Sequence, residues 1–528
     1  MTQKTRGAIA AGHPQTVAAG IEMFHLGGNA FDATIAAMLA SFVAEPALTS
    51  VAGGGFLLAH TSDGADTLFD FFSQTPHHKR PRDEIDFYSV DVNFGPAVQQ
   101  FHVGLGAIAT PGTIAGVFRV HEQLGKLPFK EVVAPAVHLA KTGAEVNDFQ
   151  AYCFHILRPI LLKSKEMRAV LAPTGELVKA GDRIVISDLA DTLDYLATEG
   201  AEAFYAGDIG KLLVQDCQAH GGFLTRDDLL HYRVIEREPL RTFYRDDILL
   251  TNPPPSSGGA LIAFTLSLLS RLDLEAAGFG STAHLRVLAQ AMRLTNQART
   301  NSFDRRLYAP DILEMFLSDE HLDYYQEQLQ ALCNTHSLNK LGSTTHISAI
   351  DDEGNAASVT ASNGEGSSYV IPGTGIMTNN MLGEADLHPM GFHQWRENMR
   401  ISSMMAPTIV LRDGAPEIVL GSGGSNRIRT AVLQVISNLL DFQMPVDAAV
   451  EAPRIHWEND VFNWEPSFDR RQIEQEIESD TFPFDSILKP WDTENMFFGG
   501  VHAVVRNSDG SFAGAGDRRR GGAIAISV

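Results

Sequence analysis

Three hydroxyls and an imidazole stand together in Gly342-Ser343-Thr344-Thr345-His346, at a loop-to-strand junction, and Ser348, Thr360 and Ser362 follow in β-type runs. A hydroxyl is a poor nucleophile at neutral pH and needs a base to take its proton. One solution is an amino-terminal threonine whose own α-amine, with a pKa of about 8 in model peptides, does this. Thr344 is internal, so that chemistry requires the chain to be cut before it. Thr and Ser are also ordinary strand residues, and on pattern alone the segment reads equally as plain sheet. Gly421-Ser422-Gly423-Gly424-Ser425 follows a strand-like run and opens a helical one. Its backbone N–H groups either close a tight turn or face an anion or developing oxyanion.

Other candidates carry less. Gly53-Gly54-Gly55 and Ser256-Ser257-Gly258-Gly259 lack the spacing of a phosphate-cradling or dinucleotide loop and read as turns with close backbone contacts. His77-His78 has no helical His-x-x-x-His partner with an adjacent acid, so no metal is expected, and no cofactor is implied. Arg518-Arg519-Arg520, beside acidic neighbours, reads as a local ion pair or turn. Cys153, Cys217 and Cys333 fit neither a disulfide framework nor a zinc knuckle and read as buried, reduced thiols.

These groups need elements to position them. Apolar residues at helical spacing predict a helix from Thr16, stopped by Gly27-Gly28-Asn29, and a buried helix over 32–42, apolar on most faces. Strands are expected at 56–60 and 67–72, paired across Ser62-Asp63-Gly64. Helices follow near 113–124 and 130–141, then a helical middle. Beyond a charged helical stretch at 310–333, short β-type runs take over at 346–350, 356–360, 408–411, 418–420, 502–505 and 523–527. Asp352-Glu353-Gly354-Asn355 is a hairpin signal, and helices fit Arg427–Leu440 and Val446–Glu451. This order predicts stacked antiparallel sheets flanked by helices. The change of texture near 340 marks a processing point or a domain edge.

The 528 residues allow about three domains by length alone. With 41 Lys+Arg against 64 Asp+Glu the net charge is −23, which argues against nucleic acid or an anionic membrane as partner. No run approaches the roughly 18 apolar residues of a spanning helix. Residues 1–12 hold no apolar stretch of secretory length, so a cytoplasmic protein is expected.

Several of these motifs carry a resemblance. Gly27-Gly28-Asn29-Ala30-Phe31-Asp32-Ala33, the run 45–56, Ala109-Thr110-Pro111-Gly112, 127–135, 203–207 and Asn252-Pro253-Pro254-Pro255-Ser256-Ser257 resemble the γ-glutamyltransferase family. So do Thr344-Thr345-His346, 372–376 with Asn379-Asn380, Ser402-Ser403 before Ala406-Pro407-Thr408, 499–503 and 517–522, all in family order. The resemblance implies an α+β, four-layer αββα sandwich of the amino-terminal-nucleophile hydrolase kind. It implies a precursor that cuts itself between Ser343 and Thr344 into a large subunit, 1–343, and a small one, 344–528, together one structural unit. Thr344 is then the nucleophile, and Ser362 matches a family threonine that hydrogen-bonds its amine. The oxyanion hole falls on Gly423 and Gly424 or, counted from Arg427, on Gly424 and Ser425.

The glutamyl-binding positions depart from the family. The Arg that holds the substrate α-carboxylate is here Phe72, and the following Glu is Ser73. Of the acidic pair for the α-amino group one member survives, Glu384; the other is Gly383. The loop 363–368 is shorter, whereas Ser402 and Ser403, carboxylate contacts in the family, are kept. Two readings follow. Either the chain cleaves γ-glutamyl amides such as glutathione, with Arg400 or Arg427 replacing the lost cation, or it is an acylase or amidohydrolase of oxamate-like or glutaryl-like substrates. The implied partners are a small-molecule amide, water or an amine acceptor, and the two subunits themselves.

Overall fold

The computed structural model describes residues 4–93, 98–330, 344–388, 390–458, 460–468, 471, 473 and 487–528; Cys333 and Ser343 lie outside them. Strand β1 (Gly7–Ala11), absent from the sequence-based expectation, is built of small and apolar residues and is wholly buried. Helices α1 (Pro14–His25) and α2 (Ala30–Ala44) follow. Asn29 starts α2: its Oδ1 accepts from the N–H groups of Phe31 and Asp32, and Asp32 Oδ2 accepts from Asn29 N–H, each at 3.0 Å. This reciprocal cap satisfies donors that the first turn leaves open. All 15 residues of α2 are buried, because α1 and α3 (Phe129–Thr142) cover one side and a sheet covers the other.

Further strands along the chain are β2 (Gly54–His60), β3 (Asp66–Phe71), β4 (Ile235–Arg237), β5 (Leu240–Tyr244) and β6 (Asp247–Thr251). Helix α4 (Gly258–Leu269) leads towards β7 (Thr345–Asp351), β8 (Ala356–Ser362), β9 (Thr408–Arg412) and β10 (Ala415–Gly423). Helix α5 (Arg427–Leu440), then β11 (Gly500–Arg506), β12 (Phe512–Gly516) and β13 (Ala523–Ser527) complete the frame. The seven-stranded sheet runs β13-β1-β7-β8-β2-β3-β4 and the six-stranded sheet β12-β11-β10-β9-β6-β5, antiparallel throughout. The sheets face each other through β7, β8, β10 and β11, with α2 outside the first and α4 and α5 outside the second. The described residues therefore form an αββα sandwich.

Strand alternation decides what each side chain sees. Ile347, Ala349, Ala357 and Val359 pack in the core under the helices, and Ile350 and Ala356 in the core between the sheets. His346, Ser348 and Ser358 share the inter-sheet side, where Ser358 Oγ donates to Leu420 O at 3.0 Å. Strands β4, β5 and β6 arise in what the sequence presents as a helical middle. They sit at or next to sheet edges, where pairing with β3 and β9 rather than local pattern fixes them. Among the described residues no helix is long and apolar enough to cross a membrane.

Candidate active site

Thr344 immediately precedes β7 and is 6% exposed. The β7–β8 register sets Thr345 against Ala361. One step further, Thr344 stands opposite Ser362, and by alternation both face the inter-sheet side. The two line one recess, a cavity of about 50 Å³. From the second sheet, β10 ends at Gly423, where any Cβ would run into the carbonyl oxygen of Thr344. Gly424 then takes φ 128° and Ser425 φ 49°, turning the chain into α5. Arg427 N–H donates to Gly424 O and Ile428 N–H to Ser425 O, both at 3.0 Å. Those bonds use carbonyls and leave the N–H groups of Gly424 and Ser425 to donate elsewhere.

The nucleophile's backbone is held from two sides. Arg520 Nη1 donates to Thr344 O at 3.3 Å. On the helix side Thr345 Oγ1 donates to Glu45 Oε2 at 2.6 Å, and Thr16 Oγ1 to Glu45 Oε1 at 2.7 Å. Glu45 closes α2 and is fully buried; burial raises its carboxyl above the usual range, and the two hydroxyls work against that. Thr345→Val keeps the shape and leaves a buried acceptor short of one donor. It should cost about 1–3 kcal/mol in urea unfolding, and a change below about 0.5 kcal/mol would refute this anchoring role.

His346 is not a base for this site. Ser348 Oγ donates to His502 O at 3.0 Å, so it accepts from His346 Nε2 at 2.9 Å, and Nδ1 accepts from Thr360 Oγ1 at 2.8 Å. Both ring nitrogens are engaged. Burial, helped by His502, holds the imidazole neutral, well below its ordinary pKa.

One wall of the recess is apolar, built from Phe72, Met381, Leu387, Met404, Met405 and Ile428; the other carries Glu365, Glu384 and Asp386. Phe72 stacks on Phe56, centroids 5.3 Å apart at 22°. Burial raises the Glu384 carboxyl, while a hydrogen bond from Glu365 lowers it. Its Oε1 has no hydrogen-bond partner among the described residues. Ser425 Oγ donates to Asp386 Oδ2 at the mouth of α5.

The fold thus brings Thr344, Ser362, Glu384, Ser403 and Phe72 to one recess, with Gly423 packed against the nucleophile's carbonyl and Gly424 next to it in the chain, against Arg520 and Gly499. Ser402 is the exception. It lines a neighbouring cavity, its Oγ 3.2 Å from Ser257 Oγ, because successive residues of an extended segment point to opposite sides. Neither candidate cation lines the recess. Arg400 is buried behind Phe72, its Nε 3.3 Å from Asp70, with Nη1 donating to Phe72 O and to Tyr232 Oη. Arg427 lies over the Phe497 ring at 5.2 Å, its pKa lowered by burial to about 10. Asp386 and the three methionines escaped the sequence reading, as did a site role for Glu365 and the contact of Arg520 with the Thr344 carbonyl; an acid inside Gly364-Glu365-Gly366 was the one available signal. Among the described residues no group of three His, Cys, Asp or Glu could hold a metal ion.

Comparison with known proteins places this geometry. The model of the gamma-glutamyltranspeptidase family matches residues 16–527. The chain is 32% identical to the Acylase ACY 1 proenzyme of Pseudomonas sp. (strain V22), covering 99% of this chain and 94% of that protein. It is 30% identical to the glutathione hydrolase proenzyme of Escherichia coli (strain K12), covering 97% and 90%. The cephalosporin acylase structure from Bacillus halodurans superposes with a TM-score of 0.83 at 23% identity, over 99% of this chain and 96% of that one. A Helicobacter pylori gamma-glutamyltranspeptidase chain gives 0.54 at 27% identity, over 60% and 90%.

Proposed function

The chain belongs to the gamma-glutamyltranspeptidase family, and from that premise we propose an autoprocessed enzyme that cleaves γ-glutamyl amides through an acyl ester on Thr344. The observation that carries this reading is Thr344 facing Ser362 in a recess that also holds a Glu384 oxygen with no hydrogen-bond partner among the described residues. Thr344 Oγ first attacks the Ser343 carbonyl, the N→O shift turns the peptide bond into an ester and frees the α-amine, and water hydrolyses the ester to release the Ser343 carboxylate and restore the Thr344 hydroxyl. The resulting subunits are 1–343 and 344–528. The amine then takes the Oγ proton as Oγ attacks the substrate amide, and returns it to the departing nitrogen. Water, or an amine acceptor, resolves the acyl-enzyme. Ser362 orients the amine. The Gly424 and Ser425 N–H groups suit the oxyanion better than Gly423, since Ser425 lines the recess and Gly423 packs behind the Thr344 carbonyl.

Glu384 and Glu365 suit the α-amino group of a glutamyl residue. A second reading is favoured by Phe72: with no cation among the described residues that line the recess, an acyl group without an α-carboxylate fits at least as well. Three 4-nitroanilides separate these: γ-glutamyl, glutaryl, which lacks the amine, and 4-aminobutanoyl, which lacks the carboxylate. The γ-glutamyl compound should exceed the glutaryl one in kcat/KM by about ten- to a hundredfold, the worth of one charge-assisted bond. Equal rates on these two defeat the amine-recognition reading. A 4-aminobutanoyl rate above the γ-glutamyl rate moves the substrate class to amino-acyl groups without a carboxylate.

We place the enzyme in the cytoplasm, in keeping with Cys153 and Cys217, which are buried and unpaired. Burial pushes both thiols up to about 12, which keeps them unreactive.

A further inference from the structure

A cavity of about 840 Å³ lies at the end of α5 away from the recess. Ile428 lines the recess, whereas Leu439 and Leu440 line this cavity, so the helix sets about 16 Å between them, and the two share no residue. The volume falls within the roughly 300–1,000 Å³ of small-molecule sites. Its other apolar walls are Ile418 of β10, Phe512 of β12, and Ile524 and Ile526 of β13. Strands β12 and β13 each end a sheet. Ala523 and Ala525 pack on the core under the helices, so alternation turns Ile524 and Ile526 to the cavity, where they stay 36% and 40% exposed. Neighbouring apolar side chains left open in this way mark a surface built to be covered.

The charge of the lining is one-sided. Arg412, the one cation among its described residues, is fully engaged: Nε and Nη2 donate to the two oxygens of Asp247, and Nη1 to Glu417 Oε1, each at 2.9 Å. Glu417 Oε2 is shut off from water and finds no hydrogen-bond partner among the described residues. Burial raises this carboxyl, and Arg412 works against that. A carboxylate oxygen left without a donor is costly, and a turn of the half-buried Glu417 side chain presents it to a donor in the cavity. Asp447, in the short helix Val446–Glu451, also lines the cavity; it is exposed and has no ion-pair partner among the described residues.

We propose that this cavity binds a small protonated amine with an apolar chain, the ammonium taken by Glu417 and Asp447 and the chain lying along Phe512, Ile524 and Ile526. The site stands apart from the recess and needs nothing of the amide-cleaving reading.

The probes are octylammonium, 1-octanol and octanoate, one tail under three head groups, titrated calorimetrically into the purified protein. Octylammonium should bind about tenfold more tightly than octanol, the worth of one hydrogen bond to a charged group, and octanoate more weakly than either. The Glu417→Gln/Asp447→Asn double variant should bring octylammonium down to the octanol value. It moves the net charge only from −23 to −21, so a diffuse attraction to an acidic protein would survive it. Ile526→Ser should weaken octylammonium and octanol alike, by about three- to tenfold, as expected for lost apolar burial. Octylammonium that binds undetectably, or no more tightly than octanol, overturns the proposal, as does a preference that survives the double variant. An affinity unchanged in both variants would put the amine on the acidic wall of the recess and overturn it equally. No turnover is read, so a protein inactive on every anilide would count against the acyl-group reading and not against this site.

Discussion

Thr344→Ala should leave one uncut chain on a denaturing gel, where the wild type should give two bands corresponding to 1–343 and 344–528. Hydrolysis of any amide should fall by about 10⁴-fold or more, as expected when a covalent nucleophile is removed. The same atom serves both reactions, so self-cutting and turnover should be lost together. Folding should be little affected, since the substitution removes a hydroxyl and a methyl group while the Thr344 carbonyl keeps its bond from Arg520 and Thr345 its bond to Glu45. Thr344→Ser retains the hydroxyl and should still mature, more slowly. An alanine variant that is cut at the same bond, or that hydrolyses amides at a wild-type rate, would falsify the nucleophile assignment.

Asp517→Asn should produce the largest loss of stability. The Asp517 side chain is fully buried; Oδ2 lies 2.6 Å from Arg454 Nη2 and accepts from Val501 N–H at 3.0 Å, and Oδ1 accepts from Arg519 N–H at 3.0 Å and Nη1 at 3.2 Å. Arg519 also meets Glu465 at 2.6 Å, and all four side chains are out of water. Asparagine removes the charge and turns one acceptor into a donor, stranding buried guanidinium groups, at a cost of about 3–5 kcal/mol. Burial pushes the Asp517 carboxyl up, but Arg454 and Arg519 outweigh it and hold it at about 2. Because this lies below the roughly 3.9 of an unfolded Asp, the contribution is whole above about pH 4 and is lost as pH falls towards 2. Urea unfolding of both proteins from pH 7 down to 3 should show the gap narrowing only in the acid range. A difference below about 1 kcal/mol at pH 7 would overturn the assignment. The neighbouring Arg520 donates to the Thr344 carbonyl, so the asparagine variant should also mature more slowly.

What could be read from the residues alone follows from how local the deciding physics is. The hairpin at Asp352–Asn355 announces itself through turn chemistry, and the structure closes it with Asn355 N–H donating to Asp351 Oδ1 at 2.9 Å. Helix α2 is legible because its sequence is apolar all round, and Arg518-Arg519-Arg520 does form local ion pairs, Arg518 with Glu494 and Arg519 with Asp517. Of the site, the segment around Thr344 and the glycine loop stood out by residue type. The cavity wall did not. Glu365 and Asp386 reach it on segments whose path is set by packing, and Arg400 is withdrawn from it by Asp70, far away in sequence. Ser402 and Ser403 look alike on the page, and only the direction of the strand-like segment separates them. Strand β1 is five small residues with no turn signal of its own; its place in the sheet depends on β7 and β13, each more than three hundred residues away.

That placement of β1 bears on how the molecule is assembled. In the seven-stranded sheet β1 lies between β7 and β13, while β8 is hydrogen-bonded to β2. Strands from before and after position 343 therefore alternate like interlocked fingers. As one chain, they find each other at a local concentration fixed by the tether. Once the tether is cut, refolding becomes a meeting of two molecules, and its yield should fall on dilution while that of the uncut alanine variant does not. Under the proposed cut the sheet should close first as one body, and the cut should then turn a reversible folding reaction into one that is not readily retraced.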